Sequence, residues 1–149
     1  MEIRKARIEE RDQINSIIMR SKAHWDYDEA FMDACREELS LSAERLLSDN
    51  LRVLANDNAV VGTVELVMDG KEAHLYKLFV DPDIIGSGAG RILYEWAVTR
   101  AKSLNATAML IDADPDASQF YEYMGAKIIG KTPSGSIPGR FLPLMRHDL

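Results

Sequence analysis

A strand-like run ending at Val80 passes through Gly86, Gly88 and Gly90 into the start of a helix, in the stretch FVDPDIIGSGAGRIL. Glycines let the chain take positive φ angles and bring its backbone close to a ligand. Free N–H groups at a helix start, together with the helix dipole, favour a phosphate or pyrophosphate. The residues placed to make such contacts are Gly86, Ser87, Gly88, Ala89, Gly90 and Arg91. Taken alone, the same stretch also describes a plain tight turn before a helix. Two other phosphate loops are excluded. A P-loop needs Gly-Lys-Ser/Thr, and Arg91 follows Gly90 here. A dinucleotide fingerprint would need glycine at position 91 and sits after the first strand of its fold.

Other chemistry-bearing residues are sparse. Cys35 is the only cysteine, so an intramolecular disulfide is impossible and a cysteine metal site lacks companions. Its place in a helical pattern makes it a half-buried packing residue rather than a nucleophile, and no metal is expected. The formal net charge of -6 argues against nucleic acid, whose binding needs clustered Lys and Arg. Asp26, Asp28, Glu29, Asp33, Glu37 and Glu38 gather in one stretch that either attracts a cationic substrate or forms a solvated helix face. Trp25 and Tyr27, two apart, could cup an amine by cation-π contact or pin helices to a sheet. The N-terminal residues are charged throughout and no segment approaches the roughly 18 apolar residues of a membrane span. The chain therefore reads as cytoplasmic, with no membrane partner.

The elements that must position these residues follow from periodicity. With 149 residues and 46% hydrophobic content, one domain spanning 1–149 can bury a core. Residues 3–7 suggest a strand, residues 9–21 an amphipathic helix through Ile14, Ile17 and Ile18, and residues 28–47 a helical region broken near Ser40–Ser42. LRVLA, VVGTVELVM and AHLYKLFV then read as strands joined by turns at Asn56-Asp57-Asn58 and Asp69-Gly70, which makes neighbours antiparallel. A helix over 90–104 shows Ile92, Leu93, Trp96, Ala97 and Ala101 on one face and ends at Asn105. Strand AMLIDA, a helix over 116–124 stopping at Gly125, strand AKIIG, the loop PSGSIPGR and a strand around FLPLM complete the chain. The alternation of strand and helix in the second half implies parallel pairing there. The expected fold is α/β: a mixed central sheet, antiparallel in its first half and parallel in its second, with helices on both faces.

The glycine loop resembles the coenzyme A loop of the GNAT superfamily of N-acetyltransferases, whose pattern is Gln or Arg, two residues, Gly, one residue, Gly or Ala. Gly88 and Gly90 take the two small positions, and Ile85 stands where Gln or Arg is expected. HLYKLFVDP resembles the family's central strand. DADPDASQFYEYMGA resembles its second motif, Asn-x-x-Ala-x-x-x-Tyr, through Asp114, Ala117, Tyr121 and Gly125, with Asp114 replacing the commoner Asn. These motifs cover residues 74–125, while the element order matches nearly the whole chain.

The resemblance implies acetyl-CoA as co-substrate and a primary amine as acceptor, joined by direct attack of the amine on the thioester. Its pantetheine arm would lie along Leu78, Phe79 and Val80, with one backbone N–H near the acetyl carbonyl, and Asp114, Ala117 and Tyr121 would complete the cofactor site. Tyr121 matches the general acid that protonates the leaving thiolate, or it is a core aromatic beside Phe120 and Tyr123. His74, six residues before Val80, falls where several members place a base, and an imidazole can take a proton at neutral pH. Glu65 on the preceding strand is the alternative base and a substrate-side residue with Trp25 and Tyr27. In one extended strand His74, Tyr76, Leu78 and Val80 would share a face. His24 and His147 match no motif. The segment 134–140 would help wall the acceptor site. The sequence leaves open whether two copies form a homodimer. A non-catalytic acyl-CoA-binding or sensing module of the same fold is the competing reading, and an unrelated nucleotide-phosphate binder is a third.

Overall fold

The computed structural model describes residues 1–25 and 27–149; Asp26 of the acidic stretch lies outside the described residues. Strand β1 (Glu2–Arg4) and a 3-10 turn (Ile8–Glu10) lead into helices α1 (Arg11–Ala23), α2 (Glu29–Leu39) and α3 (Ala43–Leu46). Strands β2 (Leu51–Asn56), β3 (Ala59–Asp69), β4 (Glu72–Leu75) and β5 (Phe79–Val80) follow. Helix α4 (Ala89–Ser103), β6 (Ala108–Asp112), α5 (Ser118–Tyr123), β7 (Lys127–Pro133) and β8 (Phe141–Asp148) complete the order. Among the described residues no helix is long and apolar enough to cross a membrane.

Local chemistry accounts for most boundaries. The Asp28 carboxylate accepts from the Phe31 N–H at 2.7 Å and starts α2. Ser42 caps α3 by accepting from the Arg45 N–H at 3.3 Å, so the helical region does break at Ser40–Ser42. Asp57 and Asn58 take φ of 51° and 70° between β2 and β3, the twist a two-residue hairpin turn needs. Asn105 at φ 62° ends α4, and Gly125 at φ 113° follows α5.

The sheet runs β1-β2-β3-β4-β6-β8-β7, with β5 also paired to β3. The expected mixed sheet is present, and among the described residues its parallel component is the single pair β4–β6. Strand β8 runs antiparallel to both β6 and β7, because the PSGSIPGR loop folds β7 and β8 into a hairpin and β8 takes the place beside β6. Helices cover both faces. Neighbours Val53 and Leu54 on β2 belong to different apolar clusters, one packed with Ile14, Ile17 and Ile18 of α1, the other with Leu93, Ala97 and Ala101 of α4. Tyr94 joins the buried face of α4, while Ile92 and Trp96 stay half-buried.

The run HLYKLFV is not one regular strand. Strand β3 pairs Leu66 with Leu75 and Thr63 with Phe79, so the chain takes four steps where β3 takes three. The extra residue is a bulge at Lys77 and Leu78, and it inverts the alternation. Leu75, Leu78 and Val80 all pack toward the α4 side, whereas Phe79 packs toward α1. Leu78 and Val80 therefore do not share the face of His74 and Tyr76, contrary to the regular-strand expectation. The bulge separates β4 from β5 and leaves the N–H groups of Lys77 and Leu78 without an acceptor among the described residues.

Gly62 permits this arrangement. A Cβ there would lie 2.9 Å from Leu93 Cδ1 and 3.1 Å from the Phe79 carbonyl oxygen. Leu93 could yield, but the Phe79 backbone is fixed in the ladder beside the bulge. Gly62→Ala should lower stability by about 1–2 kcal/mol, the usual scale of overpacking. The measurement is urea unfolding: the midpoint should fall with an unchanged slope, and a parental midpoint would show that the close approach is not a constraint.

Candidate active site

The separation of β4 from β5, facing the C-terminal end of β6, opens a cavity of about 600 Å³. Ligands of α/β sheets bind at this location, beyond the carboxyl ends of strands. One end is the glycine loop. Gly86 and Gly88 have φ of 89° and 91°, and the space where their Cβ atoms would stand is open to at least 4 Å. The N–H groups of Gly86, Gly88, Ala89, Gly90 and Arg91 have no acceptor among the described residues; the first helical bond of α4 is Ile92 N–H to Gly88 O at 3.1 Å. Gly90 serves packing, since its Cβ would meet Phe120 Cζ at 3.3 Å. The loop is anchored by Asp81, which takes the Asp83 N–H at 3.0 Å and both Arg20 Nη groups at 3.2 and 3.1 Å. These open amides at the positive end of a fifteen-residue helix fit a pyrophosphate. Ile85 beside them is 52% exposed and supplies no polar contact.

The middle of the cavity is lined by Leu78, Phe79 and Val80 on one side and by Asp114, Ala117 and Tyr121 on the other. Ala89 and Arg91 also line it, whereas Ser87 is not among the lining residues. Tyr121 is 7% exposed, with Phe120 and Tyr94 rings 5.4 and 6.0 Å away, centroid to centroid. Its phenol makes no hydrogen bond among the described residues. Burial first, then the potentials of Tyr94 and Asp114, push its pKa well above the ordinary phenol value, so it stays protonated at neutral pH. Asp114 is opposite in character. Burial alone would raise it, but Lys22, the Asp116 N–H and Tyr27 outweigh that and hold it below the usual carboxylate range.

Tyr27 is therefore turned to Asp114, donating at 2.9 Å, and takes a hydrogen bond from Arg140 Nη2 at 3.0 Å. Its ring stacks on Phe31 at 4.1 Å, and the Arg140 guanidinium lies 4.7 Å from the Phe31 ring. Residues from α1, α2, the β6–α5 turn and the β7–β8 loop are thus tied together beside the cavity. Trp25 lines it; Tyr27 is not among the lining residues.

The end away from the glycine loop is lined by Cys35, Glu38 and Leu39 of α2, Tyr76 and Lys77 at the bulge, Asp112, and residues 133–136. Lys77 is 6% exposed and its Nζ donates to the Glu38 carbonyl at 3.0 Å; burial, then Arg45, lower its pKa. The bulge, invisible to an alternating pattern, brings Lys77 here. Glu65 and His74 are not among the lining residues. Glu65 is 2% exposed, with one carboxylate oxygen on Arg45 Nε at 3.0 Å and the other on Nη2. His74 stacks on Tyr76 at 5.8 Å and lies 3.8 Å from Asp69. Asp112 was not singled out by the sequence; its place at the end of the parallel strand is the signal that could have found it.

A split mixed sheet, with free amides at one end of the cleft and a buried phenol on its wall, leaves a cavity that fits a long anionic ligand. Residues 13–126 match the acetyltransferase (GNAT) family, and the chain belongs to it. It is an N-acetyltransferase. The peptidyl-lysine N-acetyltransferase YjaB of Salmonella typhimurium is 33% identical, over 96% of this chain and 94% of the relative. The solution structure of apo YjaB from Escherichia coli is 26% identical, with a TM-score of 0.70, covering 97% of this chain and 94% of that one. The crystal structure of PaiA N-acetyltransferase from Thermoplasma acidophilum with coenzyme A shares the fold, with a TM-score of 0.81 at 20% identity over 99% and 98% of the two chains.

Proposed function

We propose that the chain, acting as one domain, moves the acetyl group of acetyl-CoA to the side-chain amine of a lysine in a peptide or protein. The observation that carries this reading is a continuous cavity that joins unpaired amides at the start of α4 to the unbonded phenol of Tyr121 and then opens onto the proposed acceptor end. The naming of the 33% identical relative supports a lysine acceptor.

Bound acetyl-CoA supplies a thioester whose acetyl carbon is open to attack by an amine. The amides of Gly86, Gly88, Ala89, Gly90 and Arg91 hold its pyrophosphate, and Leu78 and Val80 line its pantetheine arm. The unpaired N–H of Leu78 can donate to the acetyl carbonyl as negative charge grows on its oxygen. Tyr121 donates to the sulfur as the C–S bond breaks. Its raised pKa keeps the phenol protonated at neutral pH, so the proton is in place when the C–S bond breaks.

The test is incubation of the protein with acetyl-CoA and an end-blocked peptide carrying one internal lysine. Thiol release should accompany addition of one acetyl group to that lysine. Thermal stabilisation by acetyl-CoA without turnover, for this peptide and for a panel of primary amines, would favour the non-catalytic binding module.

A further inference from the structure

We propose that Asp112 is the catalytic base that takes the acceptor's proton, with His74 acting through it as a positioning residue. The inference rests on the proposed acetyl transfer to an amine. Two observations remove the other candidates. Glu65 is held on both oxygens by Arg45 deep in the sheet. His74 is not among the cavity-lining residues. Asp112 is among them, at the end of β6 where the sheet opens, next along from the Ile111–Leu75 pair and so beside Tyr76 and the bulge. Its carboxylate has no hydrogen-bond or ion-pair partner among the described residues. Every other acidic residue along the cavity has one: Asp114 has Lys22 and Tyr27, Asp116 has Tyr27, and Glu38 has Ser136.

Strand register brings His74 to the same face. His74 pairs with Leu110, two residues before Asp112, while Ala73, Leu75, Met109 and Ile111 are buried on the other face. The titratable and charged groups facing Asp112 are His74 and Tyr76 from β4 and Glu38 from α2; its β8 partner is Leu144. Partial desolvation by the cavity walls raises the Asp112 carboxyl above its ordinary value; a positive His74 draws it down and Glu38 adds to the rise. Asp112 is an exposed residue that faces the cavity, and a carboxylate raised in this way is a better proton acceptor near neutral pH than one at its ordinary value.

The step balances as follows. The Asp112 carboxylate takes one proton from the ammonium and passes it to solvent. The freed nitrogen lone pair forms the N–C bond to the acetyl carbon, and the C–S electron pair leaves on sulfur. Tyr121 protonates that sulfur, and the second nitrogen proton returns through solvent to the phenol. The products are the amide, the coenzyme thiol and one released proton.

The experiment measures kcat/KM against pH with acetyl-CoA and the blocked single-lysine peptide, for the parent, Asp112→Asn and His74→Ala. Acetyl-CoA thermal shifts monitor folding and coenzyme binding. The parent should lose activity as pH falls through the Asp112 pKa. Asp112→Asn should lower kcat/KM by roughly 10²-fold at pH 7, keep the thermal shift, and recover at higher pH where more of the amine is already neutral. His74→Ala should keep the acid limb and move it to higher pH, since a charge that stabilised the carboxylate is gone. A parent inactive with the peptide and with every amine tested overturns the acetyl-transfer reading and this inference together. An active parent with parental activity in Asp112→Asn, a variant that changes only KM, or an acid limb that vanishes in His74→Ala overturns the base assignment alone.

Discussion

Tyr121→Phe should fold as well as the parent, bind acetyl-CoA with nearly the same affinity, and turn over roughly 10²-fold more slowly. The three parts have separate causes. Packing at this position belongs to the ring, set among Phe120, Tyr94 and the α4 face, and phenylalanine keeps it. The hydroxyl makes no hydrogen bond within the described residues, so its loss leaves no partner unsatisfied and costs little stability. In the proposed mechanism that hydroxyl holds the one proton poised for the departing sulfur, and phenylalanine has none. Stopped assays of thiol release, calorimetric acetyl-CoA binding and urea unfolding separate the three effects. Parental turnover in the variant would reduce Tyr121 to a packing residue and leave the thiolate to be protonated by water.

The contrast between Tyr121 and Asp112 shows which parts of this molecule can be read without coordinates. Turns and caps are local, and they were legible: Asp57, Asn58, Asn105 and Gly125 stand where the chain needs positive φ, and Ser42 stands where a new helix needs a cap. The glycine loop is legible for the same reason, since Gly86 and Gly88 report a backbone conformation. The spacing of Tyr121 from Asp114 and Ala117 agrees with their shared place on the cavity wall. The bulge was not. HLYKLFV alternates acceptably as one strand, and the extra residue becomes apparent only against the register of β3. That inversion sends Leu78 and Val80 to the α4 side and leaves Lys77 buried along the cavity.

Charge pairing across elements was equally hidden. Glu65 offered a carboxylate near the central strand, but its partner Arg45 comes from α3, and the pair removes it as a free base. Tyr27 offered an aromatic wall, but Lys22, Asp114 and Arg140 converge on it from three other segments. Parallel pairing was inferred for the second half from the order of strands and helices. The final hairpin placed β8 between β6 and β7, a choice fixed by tertiary contacts.

Gly88→Val should abolish the thermal stabilisation that acetyl-CoA gives the parent. A ligand that binds only the folded state stabilises it by about 2.7 kcal/mol at a hundredfold excess over Kd, which for a chain of this size raises Tm by roughly 5–10 °C. Apart from the chain neighbours, no atom of the described residues lies within 4 Å of the position a Gly88 Cβ would take, so that Cβ meets no clash in the free protein. Its effect is on the backbone and on the space in front of it. At φ 91° a β-branched residue is strained by roughly 1–3 kcal/mol, and the loop relieves that strain by rotating Gly88 out of the left-handed region. Rotation turns the amides of Gly88 and Ala89 away from their common direction. If the loop instead keeps its conformation, the valine side chain projects into the open space that the pyrophosphate needs. Either route removes coenzyme binding while the helix, whose first bond is Ile92 N–H to Gly88 O, survives with a small loss of Tm. Differential scanning fluorimetry with and without millimolar acetyl-CoA gives the answer directly. A folded Gly88→Val protein with the parental shift would show that the coenzyme does not rest on this loop, and the assignment of the cavity's two ends would have to be reversed.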